Sequence, residues 1–233
     1  MPEHIGIILD GNRRWASQRM FDPLIGHDYG AKKVEDLLDW CLRLNVKTVT
    51  MYVFSMENFM RSQKEVGHIM QLAETKLNDL LANKEIHEYG VRIKVIGRLD
   101  LLPENVRALA SKVEESTKNY SKYYLNVALA YGGRAEIVDA TRKIAMEVKE
   151  GKLNPKDINE DTISKHLYTS HLPRPDLDLI IRTSGEERLS NFLLWQGAYS
   201  ELYFLDVYWP DFRKIDLWRA IRTYQLRSRR FGH

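Results

Sequence analysis

Strand-like runs alternate with helix-like runs along the chain, and this alternation restricts the fold more than any other feature of the sequence. A short apolar run at 4–9 ends in Asp-Gly, which is typical of a buried strand. The run at 46–54 is rich in β-branched and aromatic residues and predicts a second strand. Four further strands are predicted at 91–97, at 123–131 before a turn that ends at Gly133, at 177–182 and at 201–207.

Helical periodicity fills the intervals between these strands. Apolar residues recur on one face over 27–44, and the pattern over 64–88 predicts one long helix that Gly90 ends. Repeated βα units favour a mostly parallel central sheet flanked by helices, so we expect a single α/β domain spanning 1–233. The remaining helices are predicted at 103–119, 134–149, 161–168 and 216–229.

The composition excludes several classes of protein. With 44% hydrophobic and 29% charged residues, the chain can bury a core, and its net charge of +3 is too small to indicate a nucleic-acid partner. No apolar run approaches the roughly 18 residues of a membrane-spanning helix. The sequence begins without a signal-peptide pattern, and Cys41 has no second cysteine to pair with. We therefore expect a cytoplasmic protein.

Arginines, glycines and small polar residues follow four of the predicted strands, at the edge where parallel α/β sheets bind their ligands. Arginine forks match phosphate oxygens, and glycines allow a ligand to approach the backbone closely. One such loop would be a weak indication, but four together predict a ligand with several negative charges, such as a diphosphate. The loops are Asp10-Gly11-Asn12-Arg13-Arg14, Ser55 to Arg61, Tyr131 to Arg134, and Arg182 to Asn191.

Two acids are candidate magnesium ligands. Asp10 stands at the tip of the first strand, where a lone aspartate beside arginines is more often a structural ion pair. In a diphosphate site, however, its carboxylate suits a magnesium ligand that bridges to the phosphates. Glu201 opens the last strand within AYSELYF, an apolar setting in which a glutamate needs a partner. We therefore predict that Asp10 and Glu201 hold Mg²⁺.

Longer motifs identify a family. The chain has neither a G-x-x-x-x-G-K-[ST] nor a G-x-G-x-x-G loop, and Asn12 stands where a haloacid-dehalogenase-type enzyme needs a second aspartate. The segments HIGIILDGNRRWA, FSMENFMR, YGGR, RTSGEERLSNFLLWQGAYSELYF and WPDF closely resemble the cis-prenyltransferases, the undecaprenyl diphosphate synthase family. The resemblance runs from Pro2 to Gly232. The aspartate-rich motif of the trans-type synthases is absent.

The resemblance implies an enzyme that extends an allylic prenyl diphosphate with isopentenyl diphosphate, using Mg²⁺ and forming cis double bonds. It implies a homodimer, a lipid product that brings the protein to the membrane surface, and no nucleic-acid partner. Asn58 or a diphosphate oxygen takes the proton that the reaction releases. The matched positions are Asp10 and Glu201 for magnesium, Gly11, Asn12, Arg13, Arg14 and His27 for the allylic diphosphate, Ser55, Glu57, Asn58 and Arg61 for the second loop, Arg182, Arg188 and Ser190 for the isopentenyl diphosphate clamp, and Arg230 and Gly232 for an R-x-G element that reaches the neighbouring subunit.

Several questions stay open at the level of sequence. Trp15 either covers the diphosphate site or packs the loop. Pro23 stands where the family usually has an arginine, and Met56 and Phe59 replace a small hydroxyl residue and a tryptophan, so an unusual acceptor or a non-head-to-tail condensation is an alternative. A non-catalytic partner subunit and an RNA-binding module are further alternatives. Relatives of the first kind tend to lack the strand-end acid and arginines, and an RNA binder should expose stacking aromatics.

A growing prenyl chain needs an apolar sleeve. Val53 lies on the strand that leads to the second loop, and we expect its side chain to face such a tunnel. Because strand side chains alternate, Thr50 and Tyr52 should face the opposite side of the sheet.

Overall fold

The computed structural model describes residues 1–227 and contains one six-stranded sheet, in the order β3-β4-β2-β1-β5-β6. Every neighbouring pair is parallel, so the carboxyl ends of all six strands lie at one edge. The predicted α/β fold with a central parallel sheet is confirmed. The strands are β1 (His4–Ile8), β2 (Thr48–Ser55), β3 (Val91–Ile96), β4 (Tyr123–Tyr131), β5 (Leu179–Arg182) and β6 (Glu201–Phe204).

Helices connect these strands, and one of the helix predictions is wrong. The segment predicted as a single helix over 64–88 is two helices, because the side chain of Asn83 accepts a hydrogen bond from Glu85 N at 2.9 Å and caps a new helix. Gly90, at φ 66°, ends that second helix as predicted. The helices are α1 (Asn12–Gln18), α2 (Pro23–Arg43), α3 (Gln63–Ala82), α4 (Lys84–Tyr89), α5 (Glu104–Thr117), α6 (Gly133–Lys149), α7 (Glu160–His166) and α8 (Lys214–Leu226).

The segment after β1, predicted as a ligand-binding loop, forms helix α1 instead. Gly11 adopts φ 103°, a left-handed conformation that favours glycine, and so turns the chain directly from the strand into the helix. The amide of Trp15 donates to Gly11 O at 2.8 Å and closes the first turn. The arginines of this segment therefore lie on a helix whose position relative to β1 is fixed.

The core has two parts, one on each face of the sheet. Ile7, Met51 and Leu129 belong to one hydrophobic cluster, whereas Ile8 and Tyr52 belong to the other. This alternation is the period-two pattern of a sheet buried on both faces. No helix within residues 1–227 is long and apolar enough to span a membrane.

Candidate active site

Asp10 lies at the centre of a cluster of arginines at the carboxyl edge of the sheet. Its Oδ2 accepts a hydrogen bond from Arg182 Nη2 at 2.8 Å, and its Oδ1 accepts one from Arg14 Nη2 at 3.2 Å. Arg182 is almost fully buried and also donates to Ser190 Oγ at 2.7 Å and to the carbonyl oxygen of Arg188. The structure therefore brings Asp10, Arg14, Arg182 and Ser190 together, as the sequence predicts.

Glu186 extends this cluster toward solvent. Its Oε1 accepts from Arg14 Nη1 at 3.0 Å, and its Oε2 accepts from Arg188 Nη1 at 2.5 Å. Ser184 Oγ accepts from Arg14 Nη2 at 2.7 Å. We call this set the Asp10 cluster; its members are Asp10, Arg14, Arg182, Ser184, Glu186, Arg188 and Ser190.

The charge of Asp10 is well defined. Burial raises the pKa of Asp10, but the hydrogen bond and positive charge of Arg182, together with Ser184 and Arg14, lower it further, so the net shift is downward. The carboxylate is therefore ionised at neutral pH. Arg182 Nε is buried and has no hydrogen-bond partner within residues 1–227, so this guanidinium keeps one unsatisfied donor.

Glu65 organises a second cluster beside the first, and the sequence analysis missed it. Its Oε1 lies 2.8 Å from Arg61 Nη1 and 3.1 Å from His27 Nε2, and its Oε2 lies 3.8 Å from Arg13 Nη1. Two predicted diphosphate contacts, Arg13 and His27, and Arg61 of the second loop thus converge on one buried carboxylate. We call these four residues the Glu65 cluster. Because Arg13 and Arg14 are adjacent on α1, the two clusters adjoin.

Burial and charge oppose each other in the Glu65 cluster. Burial raises the pKa of Glu65, whereas the hydrogen bond from His27 and the charges of Arg61 and Arg13 lower it, and the net shift is downward. Burial also lowers the pKa of His27, an effect that the hydrogen bond to Glu65 only partly offsets. Glu65 is therefore ionised and His27 is predominantly neutral at pH 7.

The second loop forms a 3-10 turn at Met56–Met60, directly after β2. The amide oxygen of Asn58 accepts from Ser55 N at 3.0 Å, which fixes the start of this turn. Glu57 points toward the 182–191 segment, where Asn191 Nδ2 donates to its Oε1 at 3.0 Å. Burial raises the pKa of Glu57, but hydrogen bonds from its own backbone, Ser55 and Asn191 outweigh that effect and lower it.

Two predicted site residues lie elsewhere. Trp15 is buried, and its indole N–H donates to Asp211 Oδ1 at 2.8 Å, so it packs α1 rather than covering the diphosphate site. Glu201 pairs with Leu179, at the amino end of β5, whereas Asp10 follows the carboxyl end of β1. The two acids of one chain therefore do not form a joint metal site, which corrects that prediction. Arg230 and Gly232 lie outside the described residues.

Glu201 does have the partner that its apolar setting requires. Arg227 Nη1 donates to its Oε2 at 2.7 Å and to the carbonyl oxygen of Leu202 at 3.1 Å. Glu201 thus holds the last described residue of the chain against β6. No group of three or more histidine, cysteine or acidic side chains suited to a metal occurs within residues 1–227.

An apolar cavity of about 530 Å³ extends from the Glu65 cluster between the sheet and helices α2 and α3. Asn12 and His27 line the end near the cluster, and Val49, Met51 and Val53 line the wall formed by β2. Thr50 and Tyr52 are absent from this lining, as strand alternation predicts. Contacts between α2 and α3 bridge the outer side, among them the ion pair of Lys76 Nζ with Glu35 Oε1 at 2.6 Å and the hydrogen bond between His68 Nε2 and Asp28 Oδ1 at 3.0 Å.

Comparison with known proteins identifies the family of this chain. The family model described as "Putative undecaprenyl diphosphate synthase" matches residues 8–232. Two curated relatives named tritrans,polycis-undecaprenyl-diphosphate synthase (geranylgeranyl-diphosphate specific) each match 100% of this chain over 232 residues. The one from Thermococcus kodakarensis is 54% identical with 87% of its length covered, and the one from Methanopyrus kandleri is 56% identical with 85% covered.

Solved structures agree with the family match. A lavandulyl diphosphate synthase from Lavandula x intermedia, in complex with dimethylallyl diphosphate, has a TM-score of 0.96 at 37% identity, covering 100% of this chain and 98% of its own. A probable undecaprenyl diphosphate synthase from Campylobacter jejuni has a TM-score of 0.80 at 32% identity, covering 100% and 99%. The chain belongs to the undecaprenyl diphosphate synthase family and is a cis-prenyltransferase, which confirms the resemblance.

Proposed function

We propose that this protein adds isopentenyl diphosphate repeatedly to geranylgeranyl diphosphate and so makes a long cis-polyprenyl diphosphate of the undecaprenyl class. The observation that carries the proposal is the position of two adjoining arginine clusters beside an apolar cavity of about 530 Å³. Two diphosphates need two cationic subsites, and a prenyl chain needs an apolar wall. The name shared by the curated relatives supports geranylgeranyl diphosphate as the allylic substrate.

The Glu65 cluster is the proposed site of the allylic diphosphate. Arg13, His27 and Arg61 surround it, and the apolar cavity begins beside His27, where the allylic tail would enter. Within the Asp10 cluster, Arg182, Arg188 and Ser190 are the proposed contacts of isopentenyl diphosphate. Asp10 and Arg14, which adjoin Arg13, would instead face the allylic diphosphate, so the two diphosphates would lie side by side.

Asp10 fits a magnesium ion that is shared with substrate. Magnesium prefers oxygen ligands and is commonly held by one or two carboxylates together with substrate phosphates. Asp10 is ionised and lies among arginines that attract diphosphate, so one carboxylate of this chain is sufficient for such a site. When bound, the ion would neutralise charge on the leaving diphosphate.

The proposed reaction breaks the allylic C–O bond, and the bonding electrons leave with the diphosphate. The double bond of isopentenyl diphosphate forms the new C–C bond to the allylic carbon, and loss of a proton forms the cis double bond. Arginines of the two clusters stabilise negative charge as it develops on the leaving group. The Asn58 amide oxygen already accepts from Ser55 N, so we assign Asn58 to positioning and the proton to a diphosphate oxygen.

The homodimer remains part of the proposal. Glu201 holds Arg227 at the end of the described chain, three residues before Arg230 of the R-x-G element. The resemblance of Arg230 and Gly232 to the R-x-G element supports this part of the proposal. A polyprenyl product would bring the enzyme to the membrane surface, where it can leave the active site.

Product analysis tests the function directly. The purified protein is incubated with Mg²⁺, labelled isopentenyl diphosphate and either geranylgeranyl, farnesyl or dimethylallyl diphosphate, and products are separated by chromatography. We expect long cis products, formed fastest from geranylgeranyl diphosphate. A single addition to dimethylallyl diphosphate would instead favour short-chain synthesis with an unusual acceptor. No product from any substrate would favour a non-catalytic partner subunit.

A further inference from the structure

Asn191 connects three loops of the carboxyl edge, although it belongs to neither arginine cluster. Its side-chain nitrogen donates to Glu57 Oε1 at 3.0 Å, and its side-chain oxygen accepts from Arg134 N at 2.9 Å. Its backbone oxygen accepts from Gly133 N at 2.7 Å. One half-buried residue thus joins the 182–191 segment, the turn after β2 and the start of α6.

The contacts to Gly133 and Arg134 cap helix α6 from a distant part of the chain. Gly133 and Arg134 are the first two residues of α6, and Gly132, which precedes them, provides no side-chain cap. The first amides of a helix have no partner within the helix, so they need acceptors from outside. Asn191 supplies two of these acceptors, which fixes its own backbone against α6.

The side chain of Asn191 packs closely against its neighbours. A Cβ atom on Gly132 would lie 2.8 Å from Asn191 Nδ2, so a larger residue there would push the amide aside. Asn191 has a φ of 65° and Ser190 a φ of 47°, which place both residues in the left-handed region. Asparagine tolerates this conformation, whereas serine adopts it at a cost. The α6 cap and the tether to Glu57 therefore hold the backbone of Ser190, whose hydroxyl accepts from Arg182.

We propose that Asn191 is a positioning residue that sets the Asp10 cluster relative to the turn after β2. This inference rests on the proposed function, in which the Asp10 cluster contributes the contacts of isopentenyl diphosphate and Arg61, directly after the turn, binds the allylic diphosphate. The tether to Glu57 fixes the turn at Met56–Met60, and the cap on α6 fixes the backbone that carries Ser190. Small errors in the relative placement of two substrates lower the rate of the chemical step more than they weaken binding.

The Asn191→Asp variant should break the hydrogen bond to Glu57 while keeping the cap on helix α6. An aspartate keeps an oxygen acceptor for Arg134 N, and its charge favours a helix N-terminus, so we expect a melting temperature close to wild type. It also turns the amide donor into a carboxylate that repels Glu57. We expect kcat to fall about tenfold while the KM of isopentenyl diphosphate changes less than about twofold.

Exchanging the acid and the amide between positions 57 and 191 should restore the lost hydrogen bond. In E57Q/N191D the amide of Gln at position 57 can donate to the carboxylate at 191, which restores the hydrogen bond with its polarity reversed. E57Q alone is the matched control, because its amide oxygen can still accept from Asn191. We expect kcat of the double variant to return to within about threefold of E57Q, a non-additive gain typical of residues in direct contact.

Two results would overturn the proposal. One is an unchanged kcat in N191D at wild-type stability. The other is a double variant that stays about tenfold slower than E57Q, which would reduce Asn191 to a structural cap. A wild-type protein that makes no prenyl product would refute the proposed function instead, whereas an active wild type with either result above would refute only the role of Asn191.

Discussion

An aspartate lies beside each end of strand β1, Asp178 at the amino end and Asp10 at the carboxyl end, and the two have different partners. At its amino end, Asp178 Oδ2 accepts from the backbone amides of Glu3 at 2.6 Å and His4 at 3.1 Å, and Oδ1 accepts from Arg174 at 3.2 Å. At its carboxyl end, Asp10 accepts from the side chains of Arg182 and Arg14. The first aspartate therefore ties the strand into the fold, whereas the second organises arginines.

The two ends of β1 differ more in the balance of positive and negative side chains than in whether they contain acids. The ion pairs of the Asp10 and Glu65 clusters join five arginines to three carboxylates, which leaves a positive excess for an anionic ligand. The amino end instead pairs its acids with backbone amides and single arginines. An acid–arginine pair alone does not mark a binding site; an excess of cations around it does.

The largest effect should come from Asp10→Ala. We expect kcat to fall about 10²-fold or more, because a carboxylate that orients charge on the leaving group acts mainly in the transition state. The measurement is steady-state turnover with geranylgeranyl and isopentenyl diphosphates, beside a urea unfolding curve. Wild-type turnover in this variant, or full activity of the native enzyme in EDTA, would contradict the proposed role of Asp10 with magnesium.

Asp178→Ala is the matched variant at the other end of β1. Its removal leaves the amide of Glu3 and the buried amide of His4 without that acceptor, at a cost of about 1–3 kcal/mol in the free energy of unfolding. Turnover per folded molecule should stay near wild type. If instead this variant kept its stability and lost turnover, the contrast between the two ends would fail.

The next effect concerns the division of the carboxyl edge into two subsites. Arg188→Ala should weaken isopentenyl diphosphate by about 1.5–3 kcal/mol, seen as a higher KM, and leave the KM of the allylic substrate nearly unchanged. Arg188 suits this test better than Arg182, because Arg182 is buried against Asp10 and its removal leaves a carboxylate unpaired. Equal changes in both KM values would show that the two subsites do not bind different substrates.

The length of the products tests whether the growing prenyl chain occupies the apolar cavity. Val53→Phe adds volume to the wall of a packed space, and overpacking costs about 1–3 kcal/mol once the growing tail reaches it. We expect shorter products with an unchanged rate of the first condensation, and longer or broader products from Val53→Ala. Chromatography of labelled products measures both. An unchanged distribution from folded Val53→Phe protein would remove Val53 from the tunnel wall.

The smallest effect should come from Pro23→Arg. Pro23 is the exposed first residue of α2, on the helix that carries His27, so an arginine there can approach the allylic diphosphate without disturbing the core. An exposed charge pair contributes about 1 kcal/mol or less, so the KM of the allylic substrate should fall by a few-fold at most. A rise in that KM would mean that proline serves to hold the start of α2 rigid.

Much of the difference between the two edges of the sheet could be predicted from the sequence. The strand runs and the residues after each strand predict the sheet and its ligand-binding edge, because periodicity and the residues that follow each strand are local features. Asp10, Arg14, Arg182 and Ser190 meet as predicted, since the carboxyl ends of parallel strands share one edge. The break at Asn83 was missed because apolar spacing continues across it, while the cap depends on a single side-chain hydrogen bond.

The other errors concern residues whose contacts come from distant parts of the sequence. Glu65 is one helical turn after Arg61, which is the only local sign of its role; its contacts with Arg13 and His27 depend on how α1, α2 and α3 pack. Glu201 was grouped with Asp10 because both acids adjoin strands. Glu201 is the first residue of its strand and Asp10 follows the end of its strand, so the parallel register places them at opposite edges of the sheet.

The central claim is that the carboxyl edge holds two diphosphates in separate subsites, and an equilibrium titration tests it most directly. Isopentenyl diphosphate is titrated by calorimetry into protein saturated with geranylgeranyl thiolodiphosphate, an analogue whose sulfur link resists ionisation. We predict one further site per chain, lost in Arg188→Ala while analogue binding persists. Displacement of the analogue by isopentenyl diphosphate, with a total of one ligand per chain, would contradict the account.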